Sequence, residues 1–164
     1  MLVNIFDGRW NAGYLVDGGR NLIPDTTSMR NWNDKGRKII VTYDQVDDRL
    51  GKNAVKIINS EGTEGQAWFE KKTSNRTYQS GKYTMSFYAK SDSDTGSTIQ
   101  AIAIIDASKG EYGQRFEVNK TWKRYTLVYD ITESYDDTEC FWINFIGTNA
   151  IYFAHFKLEL GSTP

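Results

Sequence analysis

Apolar and polar residues alternate in short stretches along most of the chain. In residues 82–90 every second position is apolar. A period of two is typical of a β-strand with one buried and one solvent-facing side. We therefore expect this strand to place four residues in a core: Tyr83, Met85, Phe87 and Ala89.

Similar runs recur between clusters of turn residues. Residues 122–131 alternate in the same way, with Tyr125, Leu127, Tyr129 and Ile131 on one predicted face. Trp122 is also expected to pack inward. Cys140–Ile146 and Ala150–Leu160, separated by Gly147-Thr148-Asn149, are expected to form a closing strand pair. Further predicted strands are Lys38–Tyr43, Ala54–Ile58, Ala67–Lys71 and Thr98–Ile105.

No window of 11 or more residues repeats its apolar positions with a helical period; the one helical candidate is a turn around Asp47–Leu50. The chain has 14% aromatic residues and two prolines, a balance that favours strands. About eight to ten strands indicate an all-β fold, a two-sheet antiparallel β-sandwich of jelly-roll topology. Residues 1–20 are rich in turn residues and are interpreted as an N-terminal arm or linker, which leaves residues 21–164 as the domain.

Charge and cysteine content exclude several function classes. The net charge is -1 and the basic residues form no stripe, so we predict no nucleic-acid partner. No stretch approaches the roughly 18 apolar residues of a membrane span, and the first residues lack the features of a signal peptide. The single cysteine, Cys140, allows no intrachain disulfide and is interpreted as a sheet residue.

Catalytic residues are not recognisable. His155 is the only histidine and stands in the last predicted strand, where the sequence shows no orienting partner. Hydrolase elbow and zinc-protease motifs are absent. The acidic pairs Asp47-Asp48 and Asp136-Asp137 fall in predicted loops and are interpreted as solvated turn residues, although a glycosidase pair stays open as an alternative. We expect no enzyme activity.

A carbohydrate site has positive support. A pyranose needs a flat aromatic surface for its C–H face and amide or charged side chains for its hydroxyls. If Ile143 and Phe145 point into the core, Trp142 and Asn144 point outward. The candidate carbohydrate-binding residues are Trp142, Asn144, Tyr88, Gln100, Trp32, Trp68 and Asp106. A single β-bulge would reverse such an assignment of faces.

Four segments together resemble a known family. They are Asn21-Leu22-Ile23-Pro24-Asp25, Gly81–Ser91, Thr121–Leu127 and Ile151–Gly161. In order and spacing they resemble the jelly-roll carbohydrate-binding modules associated with xylanases and other glycoside hydrolases, in the versions found in tail and baseplate proteins of phages of Gram-positive bacteria. The resemblance covers about residues 21–164.

The resemblance implies a non-catalytic module that adheres to host cell-wall polysaccharide. The expected partners are cell-surface polysaccharide and other virion or tail proteins, with no membrane, and the expected location is the virion, acting outside the host cell. Two alternatives remain: a structural or protein-interaction sandwich of the same assembly, and a carbohydrate-active enzyme domain.

No cofactor is required by this interpretation. Related modules often hold a structural calcium against an acid of the final strands. Here Ala154-His155 stands where an Asp is common, so the metal ligands stay unknown, with Asp25 and carbonyl groups near Asn21 as possible contributors.

Overall fold

The fold is described by a computed structural model, which covers residues 21–22, 29–30, 33–36, 39–47, 51–60, 67–71, 76–106, 110–132, 135–137 and 141–161. Every regular element in these ranges is a β-strand. The strands are β1 (Asn33–Gly36), β2 (Ile39–Asp47), β3 (Gly51–Asn59), β4 (Ala67–Lys71), β5 (Arg76–Tyr78), β6 (Gly81–Ser91), β7 (Ser97–Asp106), β8 (Gly110–Val118), β9 (Lys123–Ile131), β10 (Tyr135–Asp137), β11 (Phe141–Ile146) and β12 (Ile151–Leu160).

Two five-stranded antiparallel sheets form the sandwich. The first sheet has the order β1-β4-β11-β7-β8 and the second has the order β2-β3-β12-β6-β9. A short two-stranded sheet joins β10 to β5. Consecutive strands pass repeatedly from one sheet to the other, as in a jelly roll, so the predicted β-sandwich is confirmed. No helix in the described ranges could cross a membrane.

The inner faces of the sheets enclose one aromatic-rich core. The predicted inward residues of β6 and β9 are confirmed, because Met85, Phe87 and Leu127 are all buried in this core. The other side of β6 is not fully solvent-facing, since Thr84 and Ser86 are 0% and 1% exposed. Phe87 lies at the centre of the core and stacks with Phe156 at a centroid distance of 5.2 Å. Its truncation to alanine would cost about 3–5 kcal/mol of folding free energy.

The predicted closing pair of β11 with β12 is wrong. β11 pairs with β4 and β7 in the first sheet, whereas β12 pairs with β3 and β6 in the second. The chain changes sheet between the two strands, where Gly147 has a φ of 88°. The backbone N–H of Ala150 then donates to Oδ1 of Asp92 at 3.0 Å, which fixes the entry into β12.

The polar segment predicted to separate two strands at residues 44–53 is largely part of them. β2 continues to Asp47 and pairs with Gly51 of β3. The backbone hydrogen bonds between β2 and β3 continue along these polar residues. The pairing register shifts after Thr42, and this irregularity accommodates Asp44 at a φ of 57°. The predicted helical turn therefore begins on a strand residue, and its residues 48–50 lie outside the described ranges.

The first described residues are attached to the last strand. The Asn21 side chain donates from Nδ2 to the carbonyl oxygen of Phe156 at 2.9 Å and accepts from the N–H of Leu158 at 3.0 Å. The N–H of Leu22 donates to the carbonyl oxygen of Leu158 at 2.7 Å. These bonds lie next to a bulge in β12. The register of its pairing with β6 shifts between Ala154 and Lys157, and within this stretch His155 has a φ of 53°. The predicted arm, residues 1–20, lies outside the described ranges.

Candidate functional site

Two side-chain amides lie opposite each other on the outer face of the first sheet. Asn144 of β11 and Gln100 of β7 are register partners, and both are half-buried. Their sequence neighbours Ile143 and Ala101 are fully buried, and so is the neighbour on the other side of each amide in sequence. Because side chains alternate along a strand, these buried neighbours place Asn144 and Gln100 on the outer face.

The two amides hydrogen bond with each other. Asn144 Nδ2 donates to Gln100 Oε1 at 3.4 Å. An amide group has two donor hydrogens and one acceptor oxygen. Within the described part of the chain, the Asn144 oxygen and the Gln100 NH₂ group are therefore available to a ligand that offers both a donor and an acceptor. A sugar hydroxyl has both functions.

The row continues to the neighbouring strands on both sides. Trp68 of β4 is the register partner of Asn144, and Arg115 of β8 is the register partner of Gln100. We call these four positions, Trp68, Asn144, Gln100 and Arg115, the amide row. Arg115 is exposed, whereas the Trp68 side chain lies outside the description. An aromatic position and a cationic position thus flank the amide pair.

Trp142 stands two residues before Asn144, between Glu70 and Ile102 in register. By strand alternation this position belongs to the same side of β11 as Asn144. Its side chain lies outside the description, and Trp32 lies outside the described ranges altogether.

Asp106 and Tyr88 are separated from the amide row. Asp106 stands at the end of β7, opposite Gly110. It is six residues from Gln100, about 20 Å along the strand. Tyr88 belongs to β6 in the second sheet, where it pairs with Ala154 and Arg124. Tyr88 and Asn144 therefore do not share a face, because they belong to different sheets, and sequence alternation assigns a side to each strand but not a sheet.

Tyr88 lies on the outer face of the second sheet, together with other aromatic residues. It packs with Tyr152 against a small buried cluster of Trp122, Ala54 and Ala154, which is separate from the main core. Trp122 is 6% exposed, so its burial was predicted correctly. It belongs to this separate cluster and not to the main one, since it comes before β9 at a position that faces the opposite side from Tyr125.

Residues considered for a calcium site have other surroundings in the described structure. Ala154 offers no side-chain oxygen, and the Asn21 amide is engaged by the backbone of β12. The acid of the last strand, Glu159, is 1% exposed and accepts from Lys157 Nζ at 2.6 Å through Oε1. No group of three or more His, Cys, Asp or Glu residues that could hold a metal occurs in the described ranges. Asp25 lies outside them.

His155 is exposed at the bulge of β12. Its ring and the Tyr88 ring form a T-shaped pair, with a centroid distance of 6.4 Å and an interplanar angle of 83°. A catalytic base would need an orienting partner, and in the described part of the chain no carboxylate contacts this imidazole. Of the acidic loop pairs, Asp47 and Asp136-Asp137 stand in strands, with side chains that are not described.

Arg115 was missed by sequence reasoning. It belongs to the edge strand β8. This strand was not predicted, because its polar residues and two glycines give it no clear apolar alternation. The alternation in residues 114–118 was the available signal, because Phe116 packs against the core and Val118 is buried within it.

Searches of protein-family models and of curated proteins found no match to this sequence. Solved structures match in fold. A family 4 carbohydrate-binding module has a TM-score of 0.60 and 17% identity, covering 85% of this chain and 92% of that one. The xylan-binding CBM22-1 domain of Xyn10C from Paenibacillus barcinonensis has a TM-score of 0.57 and 13% identity, covering 84% and 94%.

A third match is the enzymatically active domain of tailspike protein 4 from bacteriophage CBA120. Its TM-score is 0.59 and its identity 17%, over 85% of this chain but only 21% of the phage chain. The chain therefore has the β-sandwich fold of carbohydrate-binding modules, and the same fold forms a fraction of a much longer phage protein.

Proposed function

We propose that the chain is a non-catalytic carbohydrate-binding module whose binding surface is the amide row. The observation that carries this proposal is the contact between Asn144 and Gln100, two half-buried amides on the outside of a sheet. Neither residue contributes to the core. Their bond across β11 and β7 holds a donor and an acceptor side by side at a fixed position.

The surroundings of the amide pair support the choice of ligand. Arg115 adds charged donors, and the Trp68 and Trp142 positions add aromatic residue types at and next to the row. Hydroxyl groups need paired donors and acceptors, while the C–H face of a pyranose favours an aromatic surface. Sheet residues also present a preformed surface, which lowers the ordering cost of binding.

A binding role without catalysis fits the same residues. The four positions of the amide row have no carboxylate, and Glu117, two residues from Arg115 on the same side of β8, accepts from Thr98 Oγ1 at 2.7 Å. A glycosidase uses two carboxylates about 5–9 Å apart. Two of the structural matches with lengths similar to this chain are carbohydrate-binding modules.

The finer proposal concerns biological context. We infer that the module belongs to a phage tail or baseplate protein, that it adheres to the wall polysaccharide of a Gram-positive host, and that it acts outside the cell. Support comes from the resemblance in the four segments and from the fold match to a phage tailspike chain. Many copies on one virion would raise a weak single-site affinity by about 10²–10⁴.

Binding to polysaccharide released from Gram-positive cell walls tests the proposal. Affinity electrophoresis in gels containing this polysaccharide should retard the wild-type protein. Asn144→Ala and Gln100→Ala should each weaken binding by about 1 kcal/mol, or about fivefold in Kd, because each removes hydrogen bonds to hydroxyls. Trp142→Ala should weaken binding further if its ring stacks on the sugar.

Asn149→Ala is the matched control. Asn149 is an exposed asparagine that donates to the carbonyl oxygen of Gly96 at 3.3 Å, away from the amide row. This variant should bind like the wild type. Failure of the wild-type protein to bind any wall fraction, or an equal loss in the control, would overturn the proposal. Release of reducing sugar by the wild-type protein would show an enzyme instead.

A further inference from the structure

The outer face of the second sheet carries rings and lysines in alternation. Tyr152 of β12 is the register partner of Lys56 in β3 on one side and of Lys90 in β6 on the other. The Lys90 ammonium group lies 5.2 Å from the centre of the Tyr152 ring and 5.2 Å from that of Trp122. Lys56 Nζ lies 5.6 Å from the Tyr152 ring centre. We call Lys56, Tyr152, Lys90, Trp122 and Tyr88 the aromatic–lysine patch.

The rings of this patch have firm support. Trp122 packs with the fully buried Ala54 and Ala154, and Tyr88 and Tyr152 pack against this cluster. Both tyrosines remain half-buried, so part of each ring is accessible. A small apolar cluster outside the main core thus holds aromatic surface at the outside of the sheet.

The patch also collects positive charge without a matching carboxylate. Arg124, the register partner of Tyr88, donates to Ser86 Oγ at 2.9 Å, a neutral acceptor. Among the described residues, no acid forms an ion pair with Lys56, Lys90 or Arg124. By contrast, Lys82 and Lys120 pair with Asp130 and Asp94. Two ammonium groups close to one ring repel each other, and an anion between them would relieve this repulsion.

We propose that the aromatic–lysine patch is a second binding site and that its ligand is an acidic polysaccharide. A chain of acidic sugars combines an apolar C–H face for the half-buried Tyr88 ring with carboxylates for Lys56 and Lys90, whose ammonium groups lie over the Tyr152 ring. The site lies on the opposite side of the sandwich from the amide row, since the two belong to different sheets. It therefore does not depend on binding by the amide row, and both faces could engage ligands at once.

A single-stranded nucleic acid also combines rings with negative charge, and aromatic rings with basic grooves bind it. The overall charge of -1 makes this ligand less favourable, since nucleic-acid binders collect basic residues over an extended surface. The positive charge of the patch comes from a few residues only. This local charge matches a polymer whose acidic groups are spaced apart better than one with a charge on every phosphate.

Polygalacturonate and its carboxyl-reduced derivative are the probes, because they share one backbone and differ only at C6, where a neutral hydroxymethyl group replaces the carboxylate. Wild-type protein should bind polygalacturonate in isothermal titration calorimetry, more weakly at high salt because surface charges are screened. It should bind the carboxyl-reduced polymer at least tenfold more weakly. Lys56→Gln combined with Lys90→Gln should weaken polygalacturonate binding by about tenfold or more, since charge-assisted hydrogen bonds are lost.

Lys82→Gln combined with Lys120→Gln is the matched control, because it removes the same charge from exposed ion pairs elsewhere. It should bind like the wild type. Thermal unfolding of each variant should show a retained fold.

Four results would overturn the proposal: no binding of polygalacturonate, equal binding of the carboxyl-reduced polymer, an equal loss in the matched control, or oligo(dT) binding that is tighter and depends on the same two lysines. The last result would identify a nucleic-acid surface.

Discussion

Tyr125 shows how one polar atom is accommodated in the aromatic core. Its ring stacks with Phe87 at a centroid distance of 5.7 Å, and its hydroxyl donates to the carbonyl oxygen of Glu117 at 2.9 Å. Burial raises the pKa of Tyr125, and the nearby Glu117 carboxylate raises it further. Both effects disfavour the tyrosinate, so the folded protein holds this proton more tightly than the unfolded chain.

A raised tyrosine pKa predicts alkaline sensitivity. The stability that Tyr125 contributes is fully present below its unfolded pKa of about 10 and is lost as the pH rises through the higher folded pKa. Tyr125→Phe should cost about 1 kcal/mol at pH 7 through the lost hydrogen bond. Urea unfolding from pH 8 to pH 11.5 should show this gap shrinking above about pH 10. A gap that stays constant across this range would contradict the assignment.

At the scale of elements, the alternation of residues predicted strands and their buried sides. β6 and β9 follow the prediction because each has four apolar residues at every second position and a buried inner face. β4 was predicted with its observed bounds. Period-two patterns are visible in sequence since each strand of a sandwich faces one core.

Sheet membership could not be read from the same pattern. The position of Tyr88 relative to Asn144 depends on which strands become neighbours. β11 and β12 belong to different sheets, although only four residues lie between them in sequence. The bulge at His155 breaks the alternation of β12 without any glycine to mark it. The Asn144–Gln100 contact was partly predictable, because both residues were candidates for the carbohydrate site and Asn144 was expected to point outward.

Asn21 stabilises the end of β12 by replacing backbone pairing. Pairing of β12 with β3 ends at Phe153. Beyond the bulge, the Asn21 side-chain amide instead forms hydrogen bonds with the Phe156 carbonyl oxygen and the Leu158 N–H. Asn21→Ala should lower the free energy of unfolding by about 1–3 kcal/mol, because it removes two hydrogen bonds to partly buried backbone groups.

Chemical denaturation checks this expectation, with Asn119→Ala as the control. Asn119 is exposed and its side-chain oxygen accepts from the N–H of Thr121 at 3.2 Å, a local turn contact. The control should cost less than about 1 kcal/mol. Equal losses in the two variants would show that the contact of Asn21 with β12 has no special weight.

At the scale of the whole molecule, the sandwich separates its core from the two proposed binding surfaces. The aromatic core lies between the sheets, and the two outer faces carry different side chains. The first sheet presents the amide row, and the second presents the aromatic–lysine patch. One module could therefore bind two chemically different parts of a polysaccharide surface, which raises avidity without new contacts at either site.

The central claim is that the amide row binds polysaccharide. NMR titration of ¹⁵N-labelled protein with soluble polysaccharide from Gram-positive cell walls tests it directly, because the NH₂ groups of Asn144 and Gln100 report their own environment. We predict saturable shifts of both signals, with those of Asn119 and Asn149 unchanged. Saturable binding that leaves the Asn144 and Gln100 signals in place, or no binding at any concentration, would contradict the account.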